Sequence, residues 1–199
     1  MTYTMKHPTY SRVRPGDMIG FSHCGCTGCW INLATWGIPG WGLSHVAIVG
    51  RHPVGGYPVL YESLSSIDKP CLIQQRIVSG LQCQSLERRV HRCCGRIWHY
   101  PLSVPLADTQ QEVLHNLCMA WMGTKYDELG AFRSRELSII EQMILRPPDV
   151  SSLFCSEWVA MVYRKLRILP ITNVSDFNPN RLARYGLKCK AFCPPTRMK

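Results

Sequence analysis

The sequence predicts an α+β fold, and three observations carry that expectation. Runs rich in β-branched and apolar residues fill the first half of the chain, a 3.6-residue apolar period takes over after Asp108, and the composition supplies a core. With 199 residues, 46% hydrophobic and 18% charged, the chain suits one compact domain and excludes disorder, a collagen-like repeat or a coiled coil. The reading is a single unit over 1–199, a small antiparallel sheet packed against helices. An N-terminal arm covers 1–13 and a basic C-terminal tail covers 187–199.

The elements follow in order. Arg14-Pro15-Gly16-Asp17 is a turn leading into a strand, Met18 to Ser22. Beyond the cysteine-rich stretch from His23 to Cys29, Trp30 to Trp36 reads as a short helix that GIPGWG stops. Leu43 to Gly50 is β-rich, and Gly55-Gly56 separates it from Pro58 to Ser63, which together make an antiparallel hairpin. Cys71 to Ile77 and Arg96 to Leu102 read as further strands, with a short helix around Ser85 to His91. In DTQQEVLHNLCMAW, the apolar residues Val113, Leu114, Leu117, Cys118 and Trp121 fit a helix capped by Asp108 or Thr109. Glu136 to Leu145 continues the helical pattern until Pro147-Pro148. The last predicted helix, FCSEWVAMVYRKLRIL, has Ser151 or Ser152 as N-cap and sets Trp158, Val159, Val162, Tyr163 and Leu166 on one face.

Net charge is +10, from 23 Lys and Arg against 13 Asp and Glu, so anionic partners are expected. The basic residues are scattered, without aromatic interleaving or a finger-like Cys and His spacing, so no specific nucleic-acid role is expected. No window resembles a membrane span or a signal peptide, which predicts synthesis in the cytoplasm without export. Eleven cysteines, an odd count, point to reduced thiols rather than a disulfide scaffold. The oligomeric state is not legible.

Three residues can carry chemistry together. Cys155, placed in the first turn of the last helix, has the unpaired N–H groups and helix dipole that favour a thiolate. Alone it is more often a small core residue. His45 sits inside the first strand of the hairpin, between Ser44 and Val46, and Glu62 lies in its second; if the strands pair through Gly55-Gly56, both can share one face, where a carboxylate fixes the tautomer of an imidazole. Individually, a strand histidine and an edge carboxylate are commonplace. Their combination with a helix-start cysteine is what gives nucleophile, base and orienting group.

RPGDMIGF (14 to 21), GLSHVAIVG (42 to 50), VLYES (59 to 63), GTKYD (123 to 127) and FCSEWVAMVYRKL (154 to 166) resemble, in order, the motif series of the circularly permuted NlpC/P60 group of papain-like proteins. The likeness spans most of the chain and includes the lecithin:retinol acyltransferase branch. It implies a permuted papain-like fold, with Cys155 as nucleophile, His45 as general base and then acid, and Glu62 orienting His45. It also implies that Tyr126 lines the site or helps hold an oxyanion, with the Cys155 backbone N–H as a second donor. Asp17 matches a structural position. Cys29 as nucleophile does not fit, because Pro15-Gly16-Asp17 precedes it.

His23, Cys24, Cys26 and Cys29 are soft ligands at close spacing, which Cys71 or Cys93-Cys94 could complete as a zinc or iron site. The repeated CxxC pair that makes such a site specific is absent, so the expectation is no metal and no cofactor. His7, His52, His91, His99 and His115 belong to no evident constellation. The leading functional expectation is a thiol hydrolase cleaving an amide bond through a thioacyl intermediate, on cell-wall peptides as the resemblance implies. A lysis system or carriage in a phage particle, among virion proteins, would deliver it. Two other readings stay open: lipid amide or thioester cleavage or acyl transfer, with Trp30, Trp36 and Trp41 as an apolar lip, and a non-enzymatic tail or assembly component.

Overall fold

A computed structural model describes residues 10, 12–22, 42–64, 69–123 and 151–199. Their elements are β1 (Met18–Ser22), β2 (His45–Arg51), β3 (Pro58–Leu64), β4 (Gly80–Ser85), α1 (Leu86–Arg92), β5 (Arg96–Tyr100), α2 (Asp108–Ala120), α3 (Ser151–Lys165), α4 (Pro179–Lys188) and β6 (Thr196–Arg197). The α+β class holds, as one six-stranded sheet in the order β4-β3-β2-β1-β5-β6 with every neighbouring pair antiparallel.

Alternation along the strands divides the side chains between two layers. On one face Met18, Val46, Ile48, Tyr61 and Leu81 pack with Trp158, Val159, Val162 and Tyr163 of α3. Ile19, Phe21, Ala47, Val49, Leu60 and Ile97 point the other way and meet Leu86 and Val90 of α1. The apolar stripe expected on the last helix is therefore the one that covers the sheet, with Trp158, Val159, Val162, Tyr163 and Leu166 all buried.

The turn before β1 locks these layers together. Gly16 has a φ of +90°, a conformation that only glycine adopts cheaply, and its carbonyl accepts the buried Tyr163 hydroxyl of α3 at 2.9 Å. Asp17 beside it is fully buried and accepts from Arg14 N (2.8 Å), Leu102 N (2.9 Å) and His99 Nε2 (2.7 Å). These bonds make it a structural anchor. His99 was expected to belong to no constellation, but it is committed to this carboxylate.

Other differences have local causes. Cys71 to Ile77 is not a strand: Gln75 adopts a φ of 53° and its N–H bonds back to Cys71 O at 2.8 Å, with Cys71 N to Arg76 O at 2.9 Å. The segment closes on itself and leaves no free edge. The strand is instead Gly80–Ser85, whose alternation of Leu81 and Cys83 with Gln82 and Gln84 is the period-2 signal. The long helix is capped not by Asp108 or Thr109 but one residue earlier, where Ala107 N donates to Gln110 Oε1 at 3.1 Å. Ser151 is the first helical residue of α3 rather than its cap.

Residues 187–199 are built into the fold. They hold the end of α4, a bridge from Phe192 to Leu102, and β6. The expected helices at Trp30 to Trp36 and Glu136 to Leu145, and most of the arm over 1–13, lie outside the described residues.

Candidate functional site

His45 is the first residue of β2, paired with Phe21 of β1. Extending the β2–β3 register, in which Ile48 faces Tyr61, places Glu62 opposite Ala47 and on the same face as His45. The imidazole Nε2 lies 2.8 Å from Glu62 Oε2, with both side chains buried. The Cys155 side chain hydrogen-bonds with the same ring. The structure thus joins Cys155, His45 and Glu62, the three residues singled out in the sequence, although Cys155 comes from α3 on the far side of the sheet.

Two backbone devices aim His45. Ser44 N donates to Phe21 O at 2.8 Å, and the Asn180 carboxamide of α4 grips Leu43, accepting from its N–H at 2.7 Å and donating to its carbonyl at 3.0 Å. The Asn180 amide is buried, so the segment entering β2 has one arrangement that satisfies all four groups.

A fourth functional side chain was not anticipated. Arg89 of α1 donates through Nε to both oxygens of Glu62, at 2.9 and 3.2 Å, and its guanidinium sits 4.8 Å above the Phe21 ring. Within LERRV, Leu86 and Val90 mark the buried side of the helix, and Arg89 lies beside Val90 on the edge of that side; this placement was the available signal.

Charge at the site is strongly coupled. Burial opposes a charge on His45, but the adjacent Cys155 and then Glu62 outweigh it and raise the imidazole from 6.5 to about 9. Burial opposes the Glu62 carboxylate too, but Arg89 and then His45 prevail and draw it from 4.5 down to about 2. The dyad thus sets an imidazole whose proton affinity is raised against a carboxylate held ionised, with sulfur in contact with the same ring. Such a group can stabilise a thiolate and later give up its proton.

α3 opens at Ser151, and Cys155, whose backbone N–H is one expected oxyanion donor, lies one turn in. Tyr126, the other expected donor, lies outside the described residues, as do Trp30, Trp36, Trp41 and the cluster His23, Cys24, Cys26 and Cys29. Among the described residues no group of three or more His, Cys, Asp or Glu is gathered to hold a metal ion. None of the described helices is long and apolar enough to cross a membrane.

No family model matches the chain, and neither does any curated protein. Among solved structures it is similar to the metalloprotein yiiX from Escherichia coli O157:H7, with a TM-score of 0.51 and 17% identity. That likeness covers 77% of this chain and 66% of the other, and at such identity it is a likeness of fold.

Proposed function

We propose that the chain is a cysteine-dependent hydrolase of amide bonds on a permuted papain-like fold. The observation that carries the reading is that one buried imidazole, His45, contacts both Cys155 and Glu62. Three side chains from separate elements meet in the order a thiol hydrolase needs, and Glu62, held by Arg89, orients the imidazole that contacts the sulfur. The motif order and the sheet topology support the papain-like assignment.

In the reaction the Cys155 sulfur attacks the substrate carbonyl carbon, forming a C–S bond and an oxyanion. The imidazolium of His45 passes its proton to the leaving nitrogen as the C–N bond breaks, which leaves a thioester and a free amine. A water then attacks the thioester carbonyl while neutral His45 takes its proton, and the C–S bond breaks to release the acid and the thiolate. Glu62 and Arg89 act by keeping His45 oriented and charged at the correct stage.

Peptide crosslinks of an anionic bacterial wall are the substrate class that the motif resemblance and the basic surface favour, with delivery in a phage particle as one route. The solved structure of similar fold is named a metalloprotein, and a metal role for this chain would fall to His23, Cys24, Cys26 and Cys29.

The test is mass-spectrometric mapping of an electrophilic thiol probe over all eleven cysteines. Cys155 should be labelled first at neutral pH, and His45→Ala should abolish the preference. Release of amine from purified wall peptides, set against lipid vesicles carrying amide or thioester acyl groups, then separates the substrate classes. Full turnover by Cys155→Ala would overturn the proposal.

A further inference from the structure

Lys199 reaches across to α1. Its ammonium Nζ donates to the carbonyls of Cys93 at 2.6 Å, His91 at 3.0 Å and Val90 at 3.4 Å. The last carbonyls of a helix have no intrahelical donor, and a cation placed there also meets the negative end of the helix dipole. Lys199 is itself held in place, because its carbonyl accepts from Ile97 N at 3.3 Å while Met198 N donates to Ile97 O at 2.9 Å.

The helix so closed has seven residues, too few to be stable on its own. Ser85 Oγ fixes its first turn by accepting from Arg88 N at 3.3 Å, and Lys199 fixes its last. Between them sits Arg89, the cation that Glu62 accepts through both oxygens.

We propose that Lys199 is a positioning residue for the Cys155–His45–Glu62 site, acting by closing the C-terminal end of α1 and so holding Arg89 against Glu62. Its catalytic meaning rests on the hydrolase reading above, whereas the coupling from Lys199 to His45 does not. Glu62 faces His45 from β2, Arg89 from α1 and Gln82 from β4, with the Cys83 thiol of β4 nearby, so among the described residues Arg89 is the permanent cation at that carboxylate. When the last turn of α1 frays, Arg89 loses its fixed geometry, the buried carboxylate gains affinity for protons, and His45 loses part of what keeps it charged.

The experiment follows the His45 imidazole by NMR titration, and Cys155 labelling against pH, in the full chain and in Lys199→Met and Lys199→Arg. Lys199→Met should lower the His45 midpoint by about half to one pH unit, a three- to tenfold change in proton affinity. Labelling of Cys155 should slow by a similar factor on its acid limb, and Lys199→Arg should restore both. A lower melting temperature with an unmoved His45 midpoint and an unmoved labelling profile would make Lys199 a clamp on the fold alone and overturn the proposal. Should Lys199→Met fail to fold, Lys199→Gln, whose amide keeps a donor, carries the same readouts. If the His45 midpoint moves while Cys155 shows no His45-dependent labelling, the hydrolase reading falls and the coupling stands.

Discussion

His45 Nε2 and Glu62 Oε2 stand 2.8 Å apart on neighbouring strands, and the contact is closed to solvent on both sides. Because Glu62 is also held by Arg89, the imidazole faces a carboxylate that is charged over almost the whole accessible pH range.

Stability should therefore depend on pH in a defined window. Glu62 binds protons more weakly when folded, so its contribution is present above about 4.5 and is lost as pH falls through about 2. His45 binds them more tightly when folded, so its contribution is complete below 6.5 and is lost as pH rises through about 9. Urea unfolding across pH should give a maximum between those inner limits, and Glu62→Gln should flatten both flanks. A wild-type profile that is flat from acid to alkali contradicts the coupling. If the chain hydrolyses amides as proposed, that activity should fall off above about pH 9, where the His45 proton is lost.

Arg89→Met should be more damaging than a surface substitution. It leaves a buried carboxylate with one partner fewer, and the expected loss is about 2–3 kcal/mol in denaturant titration, somewhat below a fully buried pair because the Arg89 side chain is 20% exposed. The double variant Arg89→Met with Glu62→Gln should recover part of that loss. Additive losses would show that the pair is not coupled.

The two histidine–carboxylate pairs should separate cleanly by phenotype. Asp17→Asn turns a three-fold acceptor toward donors and should cost about 2 kcal/mol of stability. Selective labelling of Cys155 should survive in the folded fraction. Loss of labelling without loss of stability would move Asp17 into the active site.

Asn180→Leu removes both bonds to Leu43 and leaves a buried N–H and C=O unanswered. A loss of about 1–3 kcal/mol is expected. Because Leu43 leads directly into His45, Cys155 labelling should slow as well, and unchanged labelling at full folding would limit Asn180 to stability.

The site was more legible than its surroundings, for a physical reason. His45 and Glu62 sit in a hairpin whose period-2 pattern and Gly55-Gly56 turn are local signals, and Cys155 sits on a helix whose apolar stripe is equally local. The fourth member, Arg89, had only a weak signal, its place beside Val90 at the edge of the buried side of α1, because an arginine there looks like any helix-surface arginine until Phe21 and Glu62 are placed. The mistaken strand at Cys71 to Ile77 has the same origin: apolar residues there serve the core from turns, and only the left-handed Gln75 backbone betrays it. α4 carried a readable start in Asn178-Pro179, an N-cap followed by proline at the first helical position, with Asn178 Oδ1 accepting from Arg181 N at 2.8 Å.

The separation of Cys155 from the hairpin that carries His45 and Glu62 sets an order of events during synthesis. A ribosome delivers His45 and Glu62 first and the sulfur much later, so a nascent chain can complete its dyad while holding no activated nucleophile. On the proposed reading, Cys155 meets its histidine only when α3 docks across β2 and β3. Under the proposed reading, selective reactivity at Cys155 would report completed long-range assembly, and a chain arrested before that step would hold an oriented histidine with no sulfur beside it.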